Sequence, residues 1–463
     1  MGEKIKGLLK DTFIFALGNL GSKLILFLLV PVYTNYLTTE EYGTAEFIFT
    51  ISQLIVPILS VSIWEGIIRY GLKKEEDYRD VLKTGLIVYL ICSCVIMGIT
   101  PVWKFYKPVS SWGIYVSFYS IGYIGNQIGL NYLRVKNKTK LFAIVSVFQT
   151  LILAIANIIL LGKIKIGISG YLLANILSLF VANLLIYLAG DLFSDLKEGH
   201  INSNLLKKML IYSAPLVVNN ISWWIIHSSD KIMIEAMLTG VELGLYTVAT
   251  KMPSLINVFI SIFTQAWGVS SIKEIENSND TAYYSIVFEV YGVLAFAASI
   301  GLSTIIKPFM NIYVGQSFTM AWCYVPLLLV AASFSAVSSF FGSMLGAIQI
   351  SKYTMYSTLV GGFFNVLLNY IFIQICGVWG AIIGTVIAYV VIAAIRMIYT
   401  LKYIHIKIAW KNIIGSASIA VIQAILVSAN FHIYSVSIVS IVLFVVINQN
   451  ILYKIYSKIK ERF

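Results

Sequence analysis

The sequence predicts an all-α integral membrane protein of 14 transmembrane helices, and three observations carry that prediction. Of 463 residues, 59% are hydrophobic and only 12% charged, against about 25% charged in an ordinary soluble domain. Mean hydropathy is +0.86. Single water-soluble cores stop growing near roughly 250–300 residues, so this much apolar surface has no place in one. Apolar runs of about 20 residues, the length that crosses about 30 Å of hydrocarbon, recur along the whole chain with short polar breaks. The basic residues fall mostly on alternate breaks, as the positive-inside bias requires.

The runs lie near 11–33, 43–69, 83–106, 112–134, 141–162, 168–190, 208–229, 242–268, 282–306, 319–345, 353–376, 379–401, 411–430 and 434–456. MGEKIKGLLK leads into the first, which is longer than a signal-peptide core, lacks a small-residue cleavage site and is expected to stay as a span. Lys6 stands where a myristoylation motif wants Ser or Thr. Lys73, Lys74, Arg79, Lys83, Arg134, Lys136, Lys138, Lys197, Lys352, Arg396 and Lys402 all fall on the side of the N-terminus. Lys104, Lys107, Lys163, Lys165, Lys231 and Lys307 fall opposite. An even number of spans with both termini cytoplasmic satisfies this pattern. The net charge of +12 is strung singly between apolar runs, so it orients the chain in lipid and does not mark a nucleic-acid partner. Cys92, Cys94, Cys323 and Cys376 show neither CxxC nor Cys/His spacing, so no zinc site or disulfide framework is expected. Nucleotide-binding GxxxxGK[ST], HExxH and GxSxG motifs are absent. A transporter without cofactor is therefore expected, not an enzyme, with its energy drawn from an ion gradient, the membrane potential or the substrate gradient.

The chain carries an internal repeat. Leu37, Thr38, Glu41 and Gly43 match Leu238, Thr239, Glu242 and Gly244 at an offset of 201 residues, and the same offset carries Asn19 onto Asn220 and Ser60 onto Ser261. A second echo links Gly167-x-x-Gly170 with Gly377-x-x-Gly380, each preceded by an asparagine within the span, Asn157 or Asn369. Repeated halves are a common plan of transporters. The expected organisation is an N-lobe over 1–200, a C-lobe over 201–407 and two appended spans over 408–463.

Polar stripes follow helical spacing on four spans at equivalent places in the two halves. They are Asn19, Ser22 and Lys23; Glu46, Thr50, Gln53, Pro57 and Ser60; Asn220, Trp223, Trp224, His227 and Lys231; and Lys251, Ser254, Asn257, Ser261 and Gln265. Small polar residues also serve as glue between helices, worth only about 0.6–2 kcal/mol per contact. A mid-span ammonium is different, costing about 2.5–3.5 kcal/mol unless it faces protein or water, which singles out Lys23 and, less deeply, Lys251. Arg69 with Glu65 four residues earlier reads either as a snorkelling intrahelical pair or as part of a cleft. Asp230 and Lys231 are expected to end the seventh span, paired locally or capping it. Glu289 is the most isolated carboxylate; it either exchanges protons or neutralises a lysine of another span. Glu65, Asp230 and Glu289 are thus the candidates for ion coupling. The tryptophans serve either as sugar-stacking faces or as interfacial anchors.

FIFALGNLGSKLILFLLVPVYTNYLTTEEYG, APLVVNNISWWIIHSSDKIMIEAMLTGVELGLYTVATK and NVLLNYIFIQICGVWGAIIGTVIAY together resemble the polysaccharide transporter family, which includes O-antigen and capsule repeat-unit flippases. That family falls in the multidrug/oligosaccharidyl-lipid/polysaccharide (MOP) exporter superfamily. The resemblance implies two six-helix lobes in a V around a central cleft lined by spans 1, 2, 7 and 8. It also implies a substrate, a polyprenyl-pyrophosphate-linked glycan carried to the external leaflet by alternating access, with cleft lysines on the pyrophosphate and the tail in membrane lipid along spans 13 and 14. A monomer in a bacterial or archaeal cytoplasmic membrane, working beside a glycan polymerase and glycosyltransferases, is the expected setting. A cation-coupled multidrug or small-solute exporter of the same fold and a non-transporting membrane scaffold are the alternatives.

Overall fold

The computed structural model describes residues 20–73, 75–277 and 281–460, and among them the regular elements are helices, with no strand. In chain order they are α1 (Leu20–Tyr36), α2 (Thr39–Leu59), α3 (Ile63–Gly71), α4 (Tyr78–Ile99), α5 (Gly113–Val135), α6 (Thr139–Asn157), α7 (Gly167–Ala189) and α8 (Leu192–Glu198). They continue as α9 (Ser203–Met237), α10 (Gly240–Asn277), α11 (Thr281–Tyr313), α12 (Val325–Ala347), α13 (Ser351–Cys376), α14 (Val378–Tyr403), α15 (Trp410–Ser428) and α16 (Ile433–Lys460). Twelve membrane-length apolar helices are present among the described residues. The remaining two expected spans meet α1, of which residues 11–19 lie outside the described residues, and α5, whose apolar run is diluted by Asn126, Gln127 and Asn131.

Two expected spans differ in form. The second is broken into α2 and α3, because Pro57 withdraws a backbone donor inside α2 and Val61 and Ser62 take left-handed backbone at φ 50° and 48°. The seventh is longer than expected. At 35 residues α9 measures about 52 Å, so Asp230 and Lys231 lie inside it and do not cap it.

The chain divides into two compact units, Met1–Ile232 and Met233–Phe463, with the boundary inside α9. In the first unit α5 runs against α2, α3, α4, α6 and α7. Lipid is as apolar as leucine, so close approach and hydrogen bonding hold membrane helices together more than exclusion from water does. The α5–α7 contact shows both. A methyl group on Gly129 would stand 2.8 Å from Ile186, and one on Gly125 2.9 Å from the Asn183 amide. Asn183 in turn donates to the Gly122 carbonyl at 2.9 Å, and Asn126 donates to Asn183 at 3.3 Å.

At one end of this unit α8 is held by charge. Lys136 meets Asp195 at 2.6 Å, the Tyr132 hydroxyl donates to the same carboxylate at 3.1 Å, and Lys138 pairs with Asp191 and Arg79 with Glu198. The Lys138 hydrogen bond and charge hold the Asp191 carboxyl below the usual carboxylate range.

In the second unit Arg396 is a correction to the sequence reading. It is not a loop charge but a buried tie within α14, donating to the Ser338 carbonyl (3.1 Å), the Ser357 hydroxyl (3.0 Å) and the Thr358 hydroxyl (2.9 Å) on α12 and α13. Gln423 of α15 donates to the Ile300 carbonyl and Asn448 of α16 to Ser416, which joins the last two helices to α11 and to each other. Apolar hollows of about 480 Å³ (Phe288, Phe334, Met397 and Trp410 among its walls), about 820 Å³ (Trp379, Ile383 and Ile425) and about 360 Å³ (Ile419, Val439 and Leu443) flank α14, α15 and α16.

The repeat read from sequence is a repeat of local structure. The Thr38 hydroxyl accepts from the Glu41 N–H and Glu41 accepts from the Thr38 N–H, a reciprocal cap at the start of α2. At the start of α10 Thr239 donates to Glu242 and accepts from the Val241 N–H. Gly167 and Gly377 both take left-handed backbone, at φ +58° and +60°, where α7 and α14 begin. Gly170 and Gly380 follow where the two helices of each hairpin meet; a methyl on Gly380 would lie 2.1 Å from the Phe372 backbone.

Candidate functional site

Within the first unit α2 and α9 run antiparallel and meet through three polar rungs. Lys231 Nζ reaches Glu46 Oε2 at 2.8 Å, the Trp224 indole N–H donates to the Thr50 carbonyl at 3.1 Å, and the Asn220 amide donates to the Ser62 hydroxyl at 3.0 Å. The spacing of three and four along each helix puts these groups on one face. Ser62 lies at the α2–α3 interruption, so the break itself takes part in the contact.

Beside the second and third rungs is a cavity of about 350 Å³ lined by Gln53, Pro57, Trp64, Tyr123, Gln127, Asn220, Trp223, Trp224, His227 and Ser228. Pro57 has no N–H, so the Gln53 carbonyl beside the cavity has no helical donor. Trp223 and His227, one turn apart, lie nearly parallel at 9° with centroids 5.8 Å apart and form an exposed aromatic shelf. The lining combines amides, hydroxyls and aromatic faces, and apart from the imidazole it has no group that carries charge at neutral pH. Such a surface can hydrogen-bond hydroxyls in two directions while a ring lies on the aromatic face.

At one end of this face Glu46 and Lys231 are shielded, their side chains 10% and 19% exposed. The Tyr171 hydroxyl of α7 donates to Glu46 Oε1 at 3.2 Å. Tyr33 of α1, Tyr42 of α2 and Tyr171 cluster, Tyr33 stacked on Tyr42 and edge-on to Tyr171 with centroids 4.7 Å apart.

Of the residues expected from sequence, Glu46, Thr50, Gln53, Asn220, Trp223, Trp224 and His227 are brought together here. Asn19 lies outside the described residues. Ser22 bonds to the Ser146 carbonyl of α6 at 3.3 Å, and Lys23 beside it is exposed. Glu65 and Arg69 form no ion pair among the described residues; Arg69 lies over the Tyr212 ring at 5.8 Å. Asp230 is buried in α9. Lys251, Ser254 and Asn257 follow α10 in the second unit, half-buried, exposed and exposed, and Ser254 bonds to the Lys251 carbonyl at 2.5 Å. The Gln265 side chain lies outside the described residues, and Glu289 is half-buried in α11. Sequence reasoning missed Trp64, Tyr123, Gln127 and Ser228 as cavity walls, and Lys231 as the partner of Glu46. Tyr123 and Gln127 sit one turn apart on α5, the span with the weakest apolar run, and that polarity was the available signal.

Comparison with known proteins places this architecture. It is similar to a lipid II flippase MurJ in an inward closed conformation, at a TM-score of 0.67 with 13% identity over 96% of this chain and 99% of that one. It is also similar to an inward-facing multidrug resistance MATE family transporter of the MOP superfamily, at a TM-score of 0.65 with 17% identity over 82% and 94%. The fold is therefore MATE-like. Among relatives by sequence, "Lsg locus putative protein 1" of Haemophilus influenzae is 24% identical over 56% of this chain and 64% of its own length. The "probable low-salt glycan biosynthesis flippase Agl15" of Haloferax volcanii is 24% identical over 45% and 44%. This chain thus spans less than two thirds of those two curated relatives. An uncharacterized membrane protein of Methanocaldococcus jannaschii is 23% identical over 82% of this chain and 94% of its own. The family model described as "Polysaccharide biosynthesis protein" matches residues 8–268, more than half of the sequence, and the chain belongs to that family.

Proposed function

We propose that this protein flips a polyprenyl-pyrophosphate-linked oligosaccharide from the cytoplasmic to the external leaflet of a bacterial or archaeal cytoplasmic membrane. The observation that carries the reading is the cavity between α2, α3, α5 and α9, where amides, hydroxyls and a Trp223–His227 shelf line a hollow in an otherwise apolar bundle. Membership of a polysaccharide biosynthesis family and a relative named as a glycan biosynthesis flippase support it.

In this reading the sugars lie in the cavity and Lys23 and Lys251 attract the pyrophosphate as compact point charges. The tail runs outside, along the apolar hollows beside α15 and α16. The lobes of residues 1–200 and 201–407 rock about a central cleft, with 408–463 appended and both termini cytoplasmic. The chain acts as a monomer beside the polymerase and glycosyltransferases of its glycan.

The test is translocation of a fluorescent polyprenyl-pyrophosphate oligosaccharide in proteoliposomes. Lys23→Ala abolishes or strongly lowers transfer while the protein still inserts, and Lys23→Arg retains part of it. Full transfer by the Ala variant removes charge capture from the scheme. No transfer by wild type, with cation-driven drug efflux in its place, moves the protein to the exporter class.

A further inference from the structure

We propose that Glu46 is a proton-binding site whose protonation releases α9 from α2, so that a proton is bound in each opening of this contact. The inference rests on the transport reading only for its place in a cycle. The site itself rests on a different observation, the shielded ion pair at the end of the α2–α9 face.

The groups around Glu46 come from five helices. Lys231 of α9 meets Oε2 at 2.8 Å and Tyr171 of α7 donates to Oε1 at 3.2 Å. Tyr42 of α2 and Tyr119 of α5 lie close enough to sense the carboxylate, and Tyr33 of α1 stacks on Tyr42 and meets Tyr171 edge-on. On α9 itself Asp230, buried, and Glu235, one turn further on, are the acidic neighbours of Lys231 in sequence. The phenols supply dipoles, while Lys231 supplies full positive charge. By contrast, Arg79–Glu198, Lys136–Asp195 and Lys208–Glu76 lie at helix ends and in loops.

The position of the pair gives it leverage. It is the first rung of the α2–α9 contact, and the cavity adjoins the second. Separating α9 from α2 takes the Lys231 charge away from a shielded carboxylate, and a buried carboxylate that loses a compensating charge is favoured in its neutral form. One proton from water adds to Glu46; the Lys231 ammonium keeps its own protons and leaves with α9. On re-closure the proton departs and the pair re-forms. Protonation and separation are one equilibrium, so acid favours the open contact and alkali the closed one.

Trp224 reports on this event, because its indole N–H is bonded to Thr50 one turn from Glu46. The experiment is fluorine NMR of the full chain labelled with 5-fluorotryptophan in lipid nanodiscs, without substrate, from about pH 3 to about pH 9, a range that brackets carboxylate titration in general. The Trp224 signal is assigned by its loss in Trp224→Phe. Expected is a one-proton transition in wild type and in Glu46→Asp, and no transition in Glu46→Gln or in Lys231→Met, both of which stay at the acid position throughout because neither can form the pair. A wild-type signal that does not move, or a transition that persists in Glu46→Gln or in Lys231→Met, overturns the proposal; Lys231→Met decides the matter if Glu46→Gln does not fold. Since no glycan is present, failure here leaves the flippase reading to its own assay.

Discussion

Trp223 offers the sharpest test at the level of a single residue. It is exposed on the cavity shelf and carries no structural hydrogen bond in the α2–α9 contact, so Trp223→Ala leaves the bundle intact and removes one stacking face. Loss of that face, about 1.4 kcal/mol, weakens oligosaccharide binding about tenfold, measured by titration of the detergent-solubilised protein with a water-soluble glycan. Asp191 behaves differently. Its folded carboxyl is held below its unfolded value by Lys138, so its contribution is present above the ordinary carboxylate range and is lost as pH falls through the lowered folded value. The Lys138–Asp191 tie is therefore unchanged between about pH 5 and pH 8, and hydrogen exchange at residues 191–194 should not vary across that window once intrinsic rates are removed. Much of the cavity was legible in sequence, because Gln53, Asn220, Trp223, Trp224 and His227 interrupt apolar spans at helical spacing. The Glu46–Lys231 pair was not. Periodicity says which face of a helix is polar, but not which other helix it will meet.

Among the elements, the helix starts carry the repeat. Thr38 and Glu41 satisfy otherwise unpaired N–H groups, and Thr38→Ala costs about 1 kcal/mol of stability, seen as a lower midpoint in thermal unfolding. Gly380→Ala is more severe, since the added methyl falls on the Phe372 backbone, and the α13–α14 hairpin must part; loss of folded protein on size-exclusion chromatography is the expected readout. Repetition made both features readable, because two short patterns at matching places in the two halves mark a shared local need. The break in the second span was half-visible: Pro57 announced a disturbance, but the left-handed backbone at Val61 and Ser62 comes from the tertiary contacts of α3 and α9. The length of α9 was hidden for a related reason, since its charged end finds a partner on α2 and need not stop at the apolar boundary.

For the whole molecule, the charge pattern fixes a testable orientation. With the N-terminus cytoplasmic, Lys107→Cys in the loop after α4 reacts with a membrane-impermeant maleimide in intact cells, whereas His200→Cys between α8 and α9 reacts only after lysis. The reverse pattern would invert the proposed direction of transport. The fold was legible at this scale because span length and charge alternation are set by the bilayer and not by sequence detail. Arg396 escaped that logic, since a count of cations does not distinguish one in a loop from one tied inside a helix bundle. On the proposed function, the near-neutral lining of the cavity bears on how the two halves of a lipid-linked sugar would be held. Attraction between ammonium and pyrophosphate fades as added electrolyte shortens the Debye length from about 10 Å at 0.1 M to about 3 Å at 1 M. Stacking and amide contacts do not depend on it. Concentrated salt should thus loosen the grip on the phosphate end of the lipid while leaving that on its free glycan untouched.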